Sequence, residues 1–173
     1  MLIRQCTSPD LSLICDVVND AAVAYRGVIA PDQWKEPYMP LPELQEEIDG
    51  GVSFWGAYEN DELVGVMGLQ HVADVSLIRH AYTRTRSQGK GFGKALLQTV
   101  ASQTDRPLLI GTWAAATWAI AFYQSQGFRV LGTEKYDLLR RYWTIPERQI
   151  EESVVLADQR WTGSSAADAQ RNL

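Results

Sequence analysis

Between Gln88 and Lys94 the chain reads Gln-Gly-Lys-Gly-Phe-Gly-Lys, with glycines at 89, 91 and 93, and an apolar helical pattern follows at once. Each glycine costs a helix about 1 kcal/mol against alanine, so three at a helix start imply a need for bare backbone. A helix N-terminus offers unpaired N–H groups and about half a positive charge, and a glycine turn lets a phosphate reach them. The surrounding charge agrees. From Val75 to Thr104 there is no Asp or Glu, yet Arg79, Arg84, Arg86, Lys90 and Lys94 all fall there, in a chain of formal net charge -5. Such cations can simply decorate a solvated loop. Together with bare backbone and a helix start they describe a polyanion site, most naturally one for a pyrophosphate.

Two common pyrophosphate loops do not fit. The dinucleotide fingerprint needs Gly-x-Gly-x-x-Gly and an acidic residue about 20 positions later, and neither is present. The nucleotide P-loop needs Gly-x-x-x-x-Gly-Lys-Ser/Thr, whereas Gly93-Lys94 is followed by Ala95 and the first glycine position holds Gln88.

Hydrophobic periodicity supplies the elements around the loop. Leu2–Cys6 reads as a strand, and Thr7-Ser8-Pro9-Asp10 as a helix start with a cap, a proline and an acid that complements the dipole. Leu11, Ile14, Val18, Ala21 and Tyr25 recur at helical spacing as far as Arg26-Gly27. A proline- and aromatic-rich segment follows, with a short helix near Pro42–Asp49, in the manner of a binding loop. Residues 52–58 and 63–72 form a hairpin across Glu-Asn-Asp-Glu, and a fourth strand covers 74–84 after a turn at Ala73-Asp74. The glycine loop then opens a helix with Phe92, Leu96 or Leu97, and Val100 on its inner face. Further on, strands at 106–114, 128–132 and 150–157 alternate with helices ending at Gly127 and covering 134–143. This order predicts an α/β fold: a mixed, mostly antiparallel sheet of six to seven strands with helices on both faces.

The 173 residues suit one domain over 1–157 with a poorly ordered tail over 158–173, and the 46% hydrophobic content is enough for a core without staples. The acidic balance disfavours nucleic acid, apolar runs of about five residues fall far short of a membrane span, and the N-terminus lacks a signal-peptide layout. Cys6 and Cys15 show neither a disulfide framework nor metal-ligand spacing. A cytoplasmic protein without metal is the expectation.

The stretch Gln88-Gly-Lys-Gly91-Phe-Gly93 matches Gln/Arg-x-x-Gly-x-Gly/Ala after a strand and before a helix, and resembles the acetyl-CoA loop of the GNAT superfamily of acyl-CoA N-acyltransferases. A second signature of that family, Asn-x-x-Ala-x-x-Phe/Leu-Tyr-x-x-x-Gly-Phe, is matched downstream by Ala119, Phe122, Tyr123, Gly127 and Phe128, but Ala116 stands where the asparagine belongs. The resemblance covers roughly residues 2–156. It implies the GNAT fold and acetyl transfer from acetyl-CoA to a primary amine of a small molecule or peptide, by direct attack, since neither cysteine falls at a motif position. By the family pattern, the backbone of Ala81, Tyr82 and Thr83 would hold the pantetheine. Gln88, Gly89, Lys90, Gly91, Phe92, Gly93 and Lys94 would wrap the pyrophosphate, with Arg84, Arg86 and Lys90 near the phosphates. Tyr123 would stand at the CoA sulfur as a proton donor, unless it simply packs, and the pantetheine contact of the missing asparagine would be lost or supplied elsewhere.

The base is not given by the pattern. Many relatives carry a glutamate on the fourth strand, and that position holds Leu77 here. Arg79 shares its strand parity and would either face the acceptor, holding a carboxylate, or form a rim ion pair. His80 and His71 are the only histidines. Imidazole suits deprotonation at neutral pH, but His80 has the opposite parity unless the strand bulges. Otherwise both are structural, and ordered water takes the proton. Candidates for the acceptor pocket are Tyr25, Trp34, Tyr38, Trp55, Tyr142 and Trp143, with Arg140, Arg141 and Arg148. The insert before the last strand would shape the acceptor site or the contact of a homodimer. Two rival readings stay open: a non-catalytic acyl-CoA-binding module, favoured by the missing glutamate and asparagine, and a phosphate- or nucleotide-binding domain with a convergent glycine loop.

Overall fold

The computed structural model describes residues 1–163. Its strands are β1 (Leu2–Gln5), β2 (Ser53–Glu59), β3 (Glu62–Val72), β4 (Val75–Thr83), β5 (Leu108–Trp113), β6 (Arg129–Val130) and β7 (Ser153–Ala157). They form one seven-stranded sheet in the order β1-β2-β3-β4-β5-β7-β6. Every pairing is antiparallel except β4 with β5. The helices are α1 (Leu11–Ala22), α2 (Leu41–Asp49), α3 (Phe92–Ala101), α4 (Thr117–Ser125), α5 (Lys135–Tyr142) and α6 (Glu147–Glu151). The mixed α/β sheet expected from the periodicity is the one observed.

Strand alternation divides the core. Ile78, Leu108 and Ile110 face α3 and α4, where they meet Phe92, Leu96, Val100 and Tyr123. On the other face Phe54, Leu63 and Val66 pack under α1 and α2. Farther along that same face, Leu77, Leu109 and Val155 pack under Leu138 and Leu139 of α5 and Ile150 of α6. Burying each such leucine or isoleucine side chain contributes about 1.5–3 kcal/mol. The β2–β3 hairpin closes through Asn60 and Asp61, both at positive φ (51° and 65°), as a two-residue turn that matches strand twist requires.

Two expectations change. Ile150–Glu152 do not begin the last strand: Pro146 starts α6, which carries Ile150 into the core at 2% exposure, and β7 begins only at Ser153. The ordered chain also runs past 157. Asp158 accepts a hydrogen bond from the Leu108 backbone N–H at 3.2 Å, and Trp161 is buried beside Leu131 and Leu138. The rest of the expected tail, 164–173, lies outside the described residues.

At the N-terminal edge, Asp10 accepts hydrogen bonds from Arg4 at 2.9 Å and from the Thr7 backbone N–H at 2.8 Å. These hold its carboxyl down from 3.8 to about 2. A depressed folded-state value stabilises the fold above the unfolded value, and the contribution is lost as pH falls. Because Arg4 is half-exposed, the contribution is on the order of 1–2 kcal/mol. Asp10→Asn should lower Tm at neutral pH, and the gap from wild type should close between about pH 4 and pH 2, as read by thermal melts across that range.

Candidate active site

The sheet splits at its centre. β4 and β5 pair only through Ser76–Leu108, Leu77–Leu109 and Ile78–Ile110. Beyond Ile78, β4 stays bonded to β3, while β5 stays bonded to β7 out to Trp113. The facing edges, from Arg79 on β4 and from Gly111 on β5, have no strand partner among the described residues. Buried backbone groups demand partners, so this edge is built for a ligand or water.

A bulge widens the split. Arg79 pairs with Gly68 and Tyr82 with Val66, so His80 and Ala81 together oppose Met67. His80 takes φ +52° in the left-handed region, a conformation that costs a non-glycine residue roughly 1–3 kcal/mol. Gly68 permits the bulge, since a Cβ there would sit 2.8 Å from the Arg79 carbonyl oxygen. The extra residue reverses the parity of the strand. Arg79 and His80 consequently reach the same carboxylate, Glu47 of α2, with Arg79 Nη2 at 3.3 Å from Oε1 and His80 Nε2 hydrogen-bonded to Oε2. Gln70 accepts from Arg79 Nη1 at 2.9 Å. Burial pushes the Glu47 carboxyl up, but the His80 hydrogen bond and the charges of His80, Arg79 and Lys35 together outweigh it and hold the group below its ordinary value.

His80 opens onto a cavity of about 140 Å³, large enough for several waters or a small head group. Five aromatic side chains, Tyr25, Tyr38, Tyr82, Trp113 and Trp143, contribute to its walls. Tyr25 lies 5.5 Å from Tyr38 and 6.3 Å from Tyr82, ring centre to ring centre, and Tyr38 accepts a hydrogen bond from the Trp113 indole at 3.1 Å. Desolvation raises all three phenols, so they stay neutral.

At the other end of the β4 edge, Gln88 donates to the Thr83 carbonyl at 3.2 Å, and the chain turns through Gly89 (φ +77°) and Gly91 (φ +88°) into α3. A Cβ at either glycine would meet nothing within 4 Å. The glycines are therefore required by backbone conformation and leave the outer side open. Backbone N–H groups from Gly89 to Lys94 find no backbone acceptor among the described residues, and the first α3 bond is donated by Ala95 to Gly91 at 3.1 Å. Phe92 contributes only its backbone to the loop, because its side chain is buried against the sheet.

Tyr123 lies on α4, buried at 5% exposure, with Phe122 and Phe128 at 5.1 and 5.7 Å. Burial, and secondarily the Tyr25 phenol, raise its pKa well above the ordinary value.

Several expected residues sit elsewhere. Trp55 packs on the α3 face, and Tyr142, the last residue of α5, is buried against the sheet and donates to Asp74 at 2.6 Å. Arg140 bonds Glu147, and Arg148 bonds Asp32. Arg79 is a carboxylate partner within the protein. Arg86 pairs with Glu62, and Lys90 with Glu59 at 3.3 Å, so carboxylates of the neighbouring hairpin offset the carboxylate-free run. His71 is exposed and bonded to Ser76 at 2.8 Å. Glu47, Tyr82 as a wall and Trp113 were not found by sequence reasoning. Glu47 looks like one of several acids on a short amphipathic helix, and only the bulge singles it out.

The acetyltransferase (GNAT) domain model matches residues 18–138. The chain belongs to the GNAT acetyltransferase family. Solved structures share the fold. The PaiA N-acetyltransferase of Thermoplasma acidophilum, in complex with coenzyme A, is 19% identical with TM-score 0.69 over 91% of this chain and 97% of its own. A GNAT-family acetyltransferase of Staphylococcus aureus is 18% identical with TM-score 0.67 over 91% and 97%. The ribosomal-protein-alanine N-acetyltransferase of Brucella melitensis is 24% identical with TM-score 0.60 over 76% and 86%. No curated protein matches the sequence significantly.

For a GNAT domain acetyl-CoA is the acyl donor, and the residues present fit it. The loop supplies open, unpaired N–H groups for a diphosphate, and the free β4 edge supplies backbone for an extended arm. Ala116, fully buried with Tyr25 and Trp113, has no polar side chain to add. Leu77 explains the missing glutamate. It is 0% exposed and faces the α5 core rather than the cavity, so a carboxylate there would be stranded. Leu77→Glu should cost about 3 kcal/mol or more in the denaturant midpoint and install no base, because the charge would be buried without a partner.

Proposed function

We propose that this GNAT domain transfers the acetyl group of acetyl-CoA to a primary amine of a small molecule or peptide, by direct attack in a ternary complex. One observation carries the reading: the unpaired β4 edge runs from the cavity at His80 to the open N–H groups of Gly89–Lys94. In this reading the donor lies along that edge and the turn after it, with its acyl end toward the acceptor at the cavity.

In this reading the N–H groups of Gly89–Lys94 bind the pyrophosphate at the α3 N-terminus. Gln88 fixes the loop against Thr83, with Lys94 exposed nearby and Arg84, Arg86 and Lys90 close at hand. Exposed ion pairs such as Lys90–Glu59 contribute about 0–1 kcal/mol, so they exchange readily for a phosphate. Ala81, Tyr82 and Thr83 present backbone to the pantetheine, and one N–H of that edge polarises the thioester carbonyl where negative charge develops.

Tyr123 holds its proton too tightly to surrender it outright to a thiolate, whose reference pKa is about 8.5. It acts as a neutral hydrogen-bond donor that stabilises the departing sulfur. The cysteines do not supply a covalent route. Burial, followed by the charge of Asp10, pushes the Cys6 thiol up to about 11, and the Cys15 thiol donates to the Met39 carbonyl at 3.1 Å. Neither is a thiolate at neutral pH.

Gly91→Asp tests the donor site. With nothing within 4 Å of a Cβ, the free protein should lose only about 1–2 kcal/mol from the left-handed backbone, yet CoA should no longer raise Tm. Unchanged CoA stabilisation would overturn the placement of the pyrophosphate. Thiol release from acetyl-CoA with a panel of primary amines tests the transfer. CoA-dependent stabilisation without thiol release from any amine would overturn the catalytic reading. Tyr123→Phe should lower kcat by about 10- to 100-fold with little change in acetyl-CoA affinity.

A further inference from the structure

We propose that His80 is the base that takes a proton from the incoming amine, and that Glu47, anchored by Arg79, is the positioning residue that sets the imidazole for that task. The inference rests on the transferase reading and deepens it.

The geometry assigns each part. An ionised carboxylate only accepts hydrogen bonds, so Glu47 Oε2 receives the Nε2–H of His80, and when the imidazole carries a single proton Nδ1 is the nitrogen left with the lone pair. Nδ1 has no hydrogen-bond partner among the described residues, and His80 lines the cavity. Phe54 stacks against the imidazole at 6.2 Å and fixes its plane from β2. Glu47 is not the base itself. It does not line the cavity, and its two oxygens are engaged by Arg79 and His80. Arg79 also donates to Gln70 of β3, which fixes the guanidinium that holds the carboxylate.

The bland alternative is a tie between α2 and β4. Arg79 already makes that tie to Glu47, and it needs no left-handed residue to do so. The strain at His80 serves something else: it turns the ring into the cavity beside the free strand edge. The other titratable groups facing this cavity are the phenols of Tyr25, Tyr38 and Tyr82 and the Arg79 guanidinium, with Lys35 acting on Glu47 from the preceding loop. Among these side-chain types only imidazole has a reference pKa near neutrality.

The proton balance closes. An alkylammonium gives one proton to Nδ1 of His80, and the neutral nitrogen attacks the thioester carbon. The C–N bond forms as the C–S bond breaks, and the departing sulfur takes the second nitrogen proton to leave as thiol. His80 returns its proton to water.

The test compares His80→Asn, Glu47→Gln and Glu47→Asp with wild type, using acetyl-CoA with ethylamine and with the far less basic 2,2,2-trifluoroethylamine. Asparagine tolerates the left-handed backbone and keeps the fold. The expected result for His80→Asn is a loss of about 100-fold or more in kcat with ethylamine at neutral pH, with the acetyl-CoA KM within about twofold. That loss should shrink as pH rises and with trifluoroethylamine, which is already neutral. Glu47→Gln should lose about tenfold, and Glu47→Asp should recover part of it.

A second readout needs no acceptor. With only two histidines in the chain, imidazole nitrogen NMR should show His80 as the Nε2–H tautomer, and Glu47→Gln should scramble it. An Nδ1–H tautomer, or loss that is equal at every pH and for both amines, would overturn the proposal. Wild-type turnover matched by His80→Asn would overturn this inference alone. Wild type that binds acetyl-CoA yet acetylates no amine would overturn the transferase reading with it.

Discussion

Everything functional in this fold depends on the parting of two parallel strands. β4 and β5 share three residue pairs and then separate, each kept in the sheet by its other neighbour. An open strand edge in the middle of a sheet is costly unless something occupies it, because N–H and C=O groups facing low dielectric need partners. Pantetheine, a chain of amides, supplies partners of the right kind. In the proposed reading that edge takes the donor's arm and leads its reactive end to the cavity. The split also makes the two halves of the core separable: α1 and α2 cover one side, α5 and α6 the other, and the cavity is the gap between them.

Charge is distributed to suit this arrangement. The domain is acidic, yet its ligand carries phosphates, so attraction has to be local. In the proposed reading, backbone N–H groups at the α3 N-terminus provide it without any side chain, and their partial charges need no counterion. The cations around the loop are half-engaged by Glu59 and Glu62 of the β2–β3 hairpin. Such pairs keep the unliganded surface from being strongly basic, and they cost little to exchange at a solvent-exposed rim. Deeper in, the Glu47–His80–Arg79 group is part-buried, with side-chain exposures of 20%, 15% and 23%. There a carboxylate stays ionised because two donors hold it, which is what a positioning acid has to do.

The proposed donor half of the site was read from residues 88–94 because the features that suggest it are local. Glycine at positive φ, a helix start and an absence of acids are all properties of one continuous segment. The element order was readable for the same reason, since periodicity is local. The acceptor half was not, because it is assembled from α2, the bulge in β4 and the ends of β5. A bulge arises from a mismatch between two strands: Met67 opposes both His80 and Ala81, and nothing in the run Ile78-Arg79-His80-Ala81 announces it. Parity counted along β4 alone puts His80 on the wrong face. Gly68 was the available signal, since a Cβ on that residue would lie 2.8 Å from the Arg79 carbonyl oxygen beside the bulge. Trp161 misled in the other direction. An isolated tryptophan in a polar stretch reads as frayed tail, but it closes the core over Leu131 and Leu138.

The same packing explains why position 77 carries no acid. A carboxylate projecting from β4 at position 77 would enter the space occupied by Leu138 and Leu139 of α5 and Ile150 of α6. The α5–α6 segment that narrows the cavity therefore excludes an acid from that strand position. A bulge beginning three residues later escapes the constraint, since it turns the His80 side chain toward α2 instead of α5. At that point an imidazole can be reached by Glu47, whose helix lies on the far side of the split.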